Sequence, residues 1–447
     1  MSLSVVEAAN SSPDATALIL DGQALSFSAL AARVREKQLD LAGHPLGVAR
    51  ALVCKPVLAS LLELYACVES HIPVALLSPK LASERERMLR TAVSLCRLAP
   101  GALAIVFTSG SSGEPKGVEL SRRAFEAAAE ASAARLGWRE DDRWLLGLSF
   151  AHIGGLSIIT RCLAARRPAV VVSASRFSPR EVAHAIERDR VTLLSLVPTQ
   201  LRQFLELAPP WKPPPHLRAV LLGGAAADPA LVKAGRAHGW PLLLTYGMTE
   251  TCSQIATQPP EEIAQGNTDS SAPPLPGFEL RIVDDGIQVR SPTLLTAYQP
   301  PGQHADPRTP GGLLGGWLVT EDLGRIDARG RLEVLGRRDD VIVTGGEKVM
   351  PQEVERVLAS CAGIRAVCVF GIADPVWGQL VAAAVVLEDQ ALDLAGLREA
   401  IRSRLSPHQR PRRLAILDAL PLSESGKLDR RALARLSPER LTTLEFS

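Results

Sequence analysis

The sequence predicts an α/β fold in two parts, a large N-terminal domain of several sheets and helices and a small C-terminal α+β domain. Three observations predict it. Through the first two thirds of the chain, short apolar runs alternate with longer stretches of helical period; the runs are "VARALVC", "ALAIVFT", "PAVVVSA", "AVLLGG" and "LLLTYG". From about Arg331 the pattern changes to short strands, "RLEVL", "DVIVT", "AVCVF" and "LVAAAVVL", separated by two helical segments. At 447 residues the chain is also too long for one ordinary core.

Taken in order, the elements have local causes. The strand "ALAIVF" runs into a Ser/Gly-rich loop, and a helix follows over Ser121 to Leu136. Phe125, Ala128, Ser132 and Leu136 share one of its faces, and Ser121 is placed to cap it. Proline-rich pieces such as "APPWKPPPH", Ala208 to His216, read as loops between packed elements. Pro351 is suited to open a helix in the C-terminal part. Between the parts lies "GRRDD", Gly336 to Asp340, a charged stretch that few apolar contacts cross. The expected domains are residues 1–336 and 340–447, with a hinge at 337–339.

Composition excludes several functions. Fifty Lys plus Arg against forty-eight Asp plus Glu leave a net charge of +2, which draws the chain neither to nucleic acid nor to a membrane surface. The seven cysteines are scattered without a CxxC pair and read as reduced, mostly buried thiols of a cytoplasmic protein. The N-terminal stretch has no basic segment leading into an apolar core, and no run of about 18 apolar residues occurs, so neither export nor membrane insertion is expected. The expected partner is a small molecule; self-association stays open.

The loop "FTSGSSGEPKG", Phe107 to Gly117, carries the first chemistry. Its glycines let backbone N–H groups approach an anion, its hydroxyls add donors and Lys116 adds charge, so phosphate is the natural ligand. A Walker A loop is excluded because Pro115 precedes Lys116 and Gly117 follows it. A plain connecting turn remains the alternative on this loop alone.

The loop, with five further segments, resembles the acyl-adenylate-forming (AMP-binding) family, which includes acyl-CoA synthetases, peptide-synthetase adenylation domains and luciferases. The stretch from Thr108 to Gly117 matches the family's [ST]SG[ST][ST]GxPKG motif at every defining position. The resemblance implies that Thr108, Ser109, Gly110, Ser111, Ser112, Gly113 and Lys116 hold phosphate. "TYGMTE" is similar to the YGxTE motif, which implies contacts to nucleotide from Tyr246, Gly247 and Thr249, and a magnesium ligand in Glu250. "LLGGAAAD" resembles the segment along the adenine, giving Gly223, Gly224 and Ala225. "WLVTEDLGRID" looks like the TGDLG motif, with Asp322 on the ribose and Glu321 where most members have glycine. "GRRDDVIVTGGEKVMPQEVE" adds Arg337 as a second ribose contact and Asp339 as the hinge residue. "LPLSESGKLDRRAL" is similar to PxTxxGKxxR, with Lys427 as the catalytic lysine and Ser423 in place of threonine.

The family's chemistry implies ATP, Mg²⁺ and CoA. A carboxylate attacks the α-phosphate to give acyl-AMP and pyrophosphate; a thiol then takes the acyl group. The small C-terminal domain is expected to be mobile, swinging about the hinge and presenting Gly345, Gly346, Glu347 and Lys348 to CoA. His152 in "SFAHIGG" matches a residue that gates the acyl pocket in many members, and it reads equally as a hydrogen-bonded turn histidine. The short chain, "LVPTQL", "LLGGAA" and Glu321 together resemble the branch that activates o-succinylbenzoate for menaquinone biosynthesis. That acid has a second carboxylate, for which Gln200, Arg202 and Gln254 are the candidates. Alternatives are another aryl- or medium-chain acyl-CoA ligase, a carrier-loading adenylation enzyme, and a non-catalytic nucleotide-binding protein, which should have lost the lysine, the glutamate or the hinge.

Overall fold

The computed structural model describes residues 1–109, 115–174, 176–266, 270–299, 312–388, 394–422 and 428–444. Two sheets sandwich a layer of helices in the N-terminal part. The larger has eight strands, in the order Ser253–Thr257, Leu242–Met248, Ala219–Leu222, Leu193–Leu196, Trp144–Leu145, Ala169–Val171, Thr16–Leu20 and Gln23–Ser26. Its six inner strands are parallel and the two edges antiparallel. Inner strands such as "LLSL" and "AVLL" are buried at every position, because helices cover both faces. Leu193, Leu221 and Leu243 face the helices that carry Phe125 and Leu156. Their neighbours Leu194, Val220 and Leu222 face the opposite way, against Ile186, Leu201 and Phe204.

The second sheet runs Ala297–Gln299, Pro115–Ser121, Ala102–Ser109, Val74–Leu77 and Arg50–Val53. The expected helix is present over Arg122–Leu136. Ser121 caps it by accepting from the Ala124 N–H, and Phe125, Ala128, Ser132 and Leu136 are all buried. A third, antiparallel sheet holds Glu279–Val283, Gly286–Arg290, Trp317–Ile326, Leu313–Leu314 and Leu332–Arg337. "RLEVL" therefore pairs backwards with Trp317–Ile326 rather than with the strands that follow it.

A short 3₁₀ turn, Arg338–Asp340, leads to the last sheet. There Ile364–Asp374 and Gly378–Leu387 form a long hairpin, and Gly378–Leu387 runs parallel to Arg413–Ile416. Helices Pro351–Ala359, with Pro351 at its first turn, and Leu394–Arg404 close a separate core around Val354, Val369, Val385 and Ile401. All seven cysteines are free thiols and five are buried. Among the described residues no helix is long and apolar enough to cross a membrane.

One buried ion pair braces the large sheet. Asp142, fully buried, accepts from Arg218 Nε at 2.7 Å and Nη2 at 2.6 Å, from the Thr192 hydroxyl at 2.8 Å and from the Arg139 N–H at 2.7 Å. Burial alone would raise its carboxyl, yet these donors, Arg218 foremost, hold it below the usual carboxylate range. Asp142→Asn is expected to cost about 3 kcal/mol at neutral pH, because it strands the Arg218 charge. The pair's contribution is present above the ordinary aspartate range and is lost as pH falls through the depressed value. Urea titrations at neutral and acid pH check both points, and the variant should lose this share of the acid-side slope.

Candidate active site

The site forms where the parallel strands of the large sheet end, the position at which open α/β sheets place their ligands. Leu242–Met248 runs out into a 3₁₀ turn, Thr249–Thr251, that carries Glu250. The chain then reverses through Cys252 and Ser253, both at positive φ, 54° and 95°. This reversal presses the Ser253 carbonyl onto Gly247, where a Cβ would stand 1.8 Å from the oxygen. Gly247 is thus required by the turn that presents Glu250. Gly223 has a similar reason, since its Cβ would meet Thr245 at 2.6 Å. Gly224 and Ala225 continue from it, off the end of the adjacent strand.

The phosphate-loop candidates lie on a hairpin. Thr108 pairs with Lys116 and Ser109 with Pro115 across it, and the Thr108 hydroxyl donates to the Lys116 carbonyl at 3.4 Å. Gly110, Ser111, Ser112 and Gly113 lie outside the described residues, as does Lys427.

Glu250 is half-buried, and the Leu295 N–H fixes its backbone carbonyl at 2.8 Å. Its carboxylate accepts a long hydrogen bond, 3.3 Å, from Tyr298. Burial pushes this carboxyl up, against the opposing pull of its own backbone N–H, Tyr298, Arg337 and Lys116. Arg337 and, more weakly, Lys116 thus add favourable charge at Glu250 without a direct contact. Tyr246 donates to Asp322 Oδ2 at 2.7 Å, and burial first, then Asp322, raises its phenol far up. The Asp322 N–H donates to Thr320 Oγ1 at 3.1 Å, and that hydroxyl donates to the Ile287 carbonyl at 2.8 Å. Arg337, opposite Asp322 in the strand pair, reaches Asp322 Oδ1 with its Nε at 3.6 Å. Glu321, which replaces the usual glycine, takes the other end of Arg337 in an ion pair.

The remaining candidates have other surroundings. Gln200 accepts from the Val197 N–H at 3.0 Å and donates to the Gly147 carbonyl at 3.1 Å, which makes it a helix cap and a brace. Arg202 donates to the Arg365 carbonyl at 2.9 Å, joining the N-terminal part to the C-terminal sheet. Gln254 is buried, its amide donating to Thr257 Oγ1 at 2.8 Å. His152 is exposed at the start of helix Ile153–Ala165. Asp339 lies exposed in the Arg338–Asp340 turn. Gly345, Gly346, Glu347 and Lys348 form an exposed turn, with the Gly345 N–H on the Trp377 carbonyl at 2.9 Å.

Two groups were missed in the sequence. Tyr298 left no signal, because it reaches Glu250 from a distant strand. Arg161 left one, a cation inside the apolar helix "IGGLSIITRCLAA". It is 3% exposed, stacks 5.6 Å from the Trp144 ring centroid, and its Nε and Nη2 have no hydrogen-bond partner among the described residues. Burial lowers its guanidinium to about 10, with the Cys252 thiol its strongest electrostatic neighbour.

Comparison with known proteins accords with this geometry. The AMP-binding enzyme family matches residues 96–293, and the AMP-binding enzyme C-terminal domain matches residues 353–427. The 2-succinylbenzoate–CoA ligase of Bacillus subtilis (strain 168) is 30% identical over 479 aligned positions, covering 96% of each chain. That of Geobacillus kaustophilus is 38% identical over 347, covering 75% of this chain and 69% of its own. The solved o-succinylbenzoate CoA synthetase of B. subtilis overlays with a TM-score of 0.85 in its complex with the acyl-adenylate intermediate, at 29% identity over 97% of this chain and 98% of that one. With ATP and magnesium ion the score is 0.82, covering 96% and 98%; for a double mutant bound to a product analogue it is 0.66, covering 99% of both. With both domains matched and the B. subtilis relative aligned nearly end to end, the chain belongs to the AMP-binding enzyme family.

Proposed function

We propose that this chain is an ATP-dependent acid–thiol ligase that activates o-succinylbenzoate as its acyl-adenylate and transfers the acyl group to CoA. The products are 2-succinylbenzoyl-CoA, AMP and pyrophosphate, a step of menaquinone biosynthesis. CoA as acceptor and a cytoplasmic location belong to this reading. The observation that carries it is the end-to-end overlay on the acyl-adenylate complex, together with the contacts that tie Tyr246 and Arg337 to Asp322 beside the strand that delivers Glu250.

In the first half-reaction a carboxylate oxygen bonds to the α-phosphorus of ATP while the bond to the pyrophosphate oxygen breaks. Both partners are anionic, so cation placement and orientation matter more than proton transfer. Lys116 and the phosphate-loop hydroxyls would receive the triphosphate, Asp322 and Arg337 the ribose, and Gly223 to Ala225 the adenine. Lys427 would neutralise the oxygens at the reacting phosphorus. Glu250 suits a magnesium ligand. It is a half-buried carboxylate with one long hydrogen bond, and magnesium shared with phosphates commonly takes only one or two protein carboxylates. When bound there, the ion supplies charge neutralisation as pyrophosphate departs. In the second half-reaction the thiol sulfur bonds to the acyl carbon, the bond from that carbon to the AMP oxygen breaks, and the thiol proton is released to solvent. A turn of the C-terminal domain about Asp339 would withdraw Lys427 and bring in Gly345 to Lys348.

Gln200, Arg202 and Gln254 are engaged elsewhere in the fold, so Arg161 is the better partner for the substrate's second carboxylate. It is a buried cation whose Nε and Nη2 have no partner among the described residues, beside the segment that follows Glu250.

Thioester formation from ATP, Mg²⁺ and CoA, compared across o-succinylbenzoate, benzoate and medium-chain acids, tests the reading. o-Succinylbenzoate should lead in kcat/KM by orders of magnitude; preference for an apolar acid would refute the substrate while leaving the adenylation chemistry. Glu250→Gln should raise the Mg²⁺ requirement by at least the ~10-fold that loss of an outer-shell group costs a metal site. Because burial raises the Glu250 carboxyl, wild-type Mg²⁺ affinity should weaken with falling pH already above the ordinary glutamate range near ~4.3. Mg²⁺ titrations of the rate at several pH values should show this limb in the wild type and not in the variant.

A further inference from the structure

We propose that Arg430 is a positioning residue that couples the catalytic-lysine segment to the hinge, so that the two move as one body. This inference rests on the reaction proposed above.

On either side of Lys427 the chain closes on itself, outside the sheet. Leu422 pairs with Leu428 in an antiparallel bridge, and the Asp429 N–H donates to the Pro421 carbonyl at 2.9 Å. Asp429 then caps the helix Arg430–Ala434, accepting from the Ala432 N–H at 3.0 Å. Arg430, three residues beyond Lys427, points back into the domain with its side chain 18% exposed. Three elements meet its guanidinium. Nε donates to the Val369 carbonyl at 3.1 Å, on the central hairpin. Nη2 donates to Glu355 Oε1 at 2.6 Å, on the helix Pro351–Ala359, and Nη1 lies 3.6 Å from Asp340 Oδ2. Asp340 closes the Arg338–Asp340 turn, next to Asp339. Glu355 is held in turn, since Oε1 also accepts from the Val369 N–H at 2.8 Å.

A planar fork engaged on three sides resists rotation in a way that a single contact does not. The base of the lysine segment is therefore fixed to the sheet and to the first residues past the hinge. Slack at that base would be magnified at the reacting phosphorus, where a misplacement of about 1 Å can cost ~10²-fold in rate. Thioester formation presents a different face and does not call on the lysine, so it should tolerate the same slack.

The two half-reactions separate these possibilities. ATP–pyrophosphate exchange with o-succinylbenzoate reads adenylation, and acyl transfer from supplied o-succinylbenzoyl-adenylate to CoA reads the second step. Arg430→Ala should lower the exchange kcat by about 10²-fold at unchanged KM for ATP, with acyl transfer retained. Arg430→Lys, which keeps the charge without the fork, should recover part of the loss, and Glu355→Gln should reproduce a smaller version of the defect. Normal exchange in Arg430→Ala would overturn the inference. So would equal loss in both half-reactions, which would mark a purely structural role. A wild type silent in exchange overturns the proposed reaction, and this inference with it; an active wild type beside an equally active Arg430→Ala overturns the inference alone.

Discussion

The hydroxyl of Tyr246 donates to Asp322 across the seam between the parallel sheet and the antiparallel sheet. Much of the site hangs from that contact. Tyr246 belongs to the strand that delivers Glu250, and Asp322 to the strand whose partner ends at Arg337. One short hydrogen bond to a carboxylate thus sets the distance between the proposed metal and ribose positions. Charge-assisted bonds of this kind are among the stronger ones, and burial of the phenol keeps it protonated and donating.

Among the described residues, Glu250 makes no ion pair. Glu250 has a neutral phenol at 3.3 Å and two cations at longer range, Arg337 and Lys116. Arg337 is shared between Glu321 and Asp322. A carboxylate without a direct counter-charge gains when a ligand supplies one, and a magnesium nucleotide brings both signs at once. The strained turn at Cys252 and Ser253 serves the same end, since it aims Glu250 out of the sheet and is tolerated only because residue 247 has no side chain.

Local features were legible in the sequence, and tertiary convergence was not. The Ser121 cap, the apolar face of Phe125 to Leu136 and the all-buried strands follow from nearest-neighbour physics, and each stands where its pattern put it. "RLEVL" was read with the C-terminal strands because its composition matches theirs; its pairing is decided by Trp317–Ile326, which no local pattern encodes. Gln200 and Gln254 were candidates for the acid's second carboxylate; in the structure Gln200 makes a capping bond and the Gln254 amide donates to a buried threonine. Arg202 was an arginine on a helix face, and only the packing of two parts of the chain gives it the Arg365 carbonyl. Residue type announces that a polar group has a partner; it does not name the partner.

Arg161 carries that point to the choice of acid. Burying a cation without a counter-charge costs several kcal/mol, and a ring face returns only about 0.5 to 2 kcal/mol of it. The Trp144 face at 5.6 Å is therefore too little to justify Arg161 where it stands, with Nε and Nη2 unused among the described residues. An apolar acid would leave that deficit in place during turnover. A dicarboxylate would remove it, by placing its second anion against the guanidinium while the first awaits the α-phosphate. On the proposed reading, the free energy tied up in that cation would become discrimination, because only an acid with the second carboxylate would recover it.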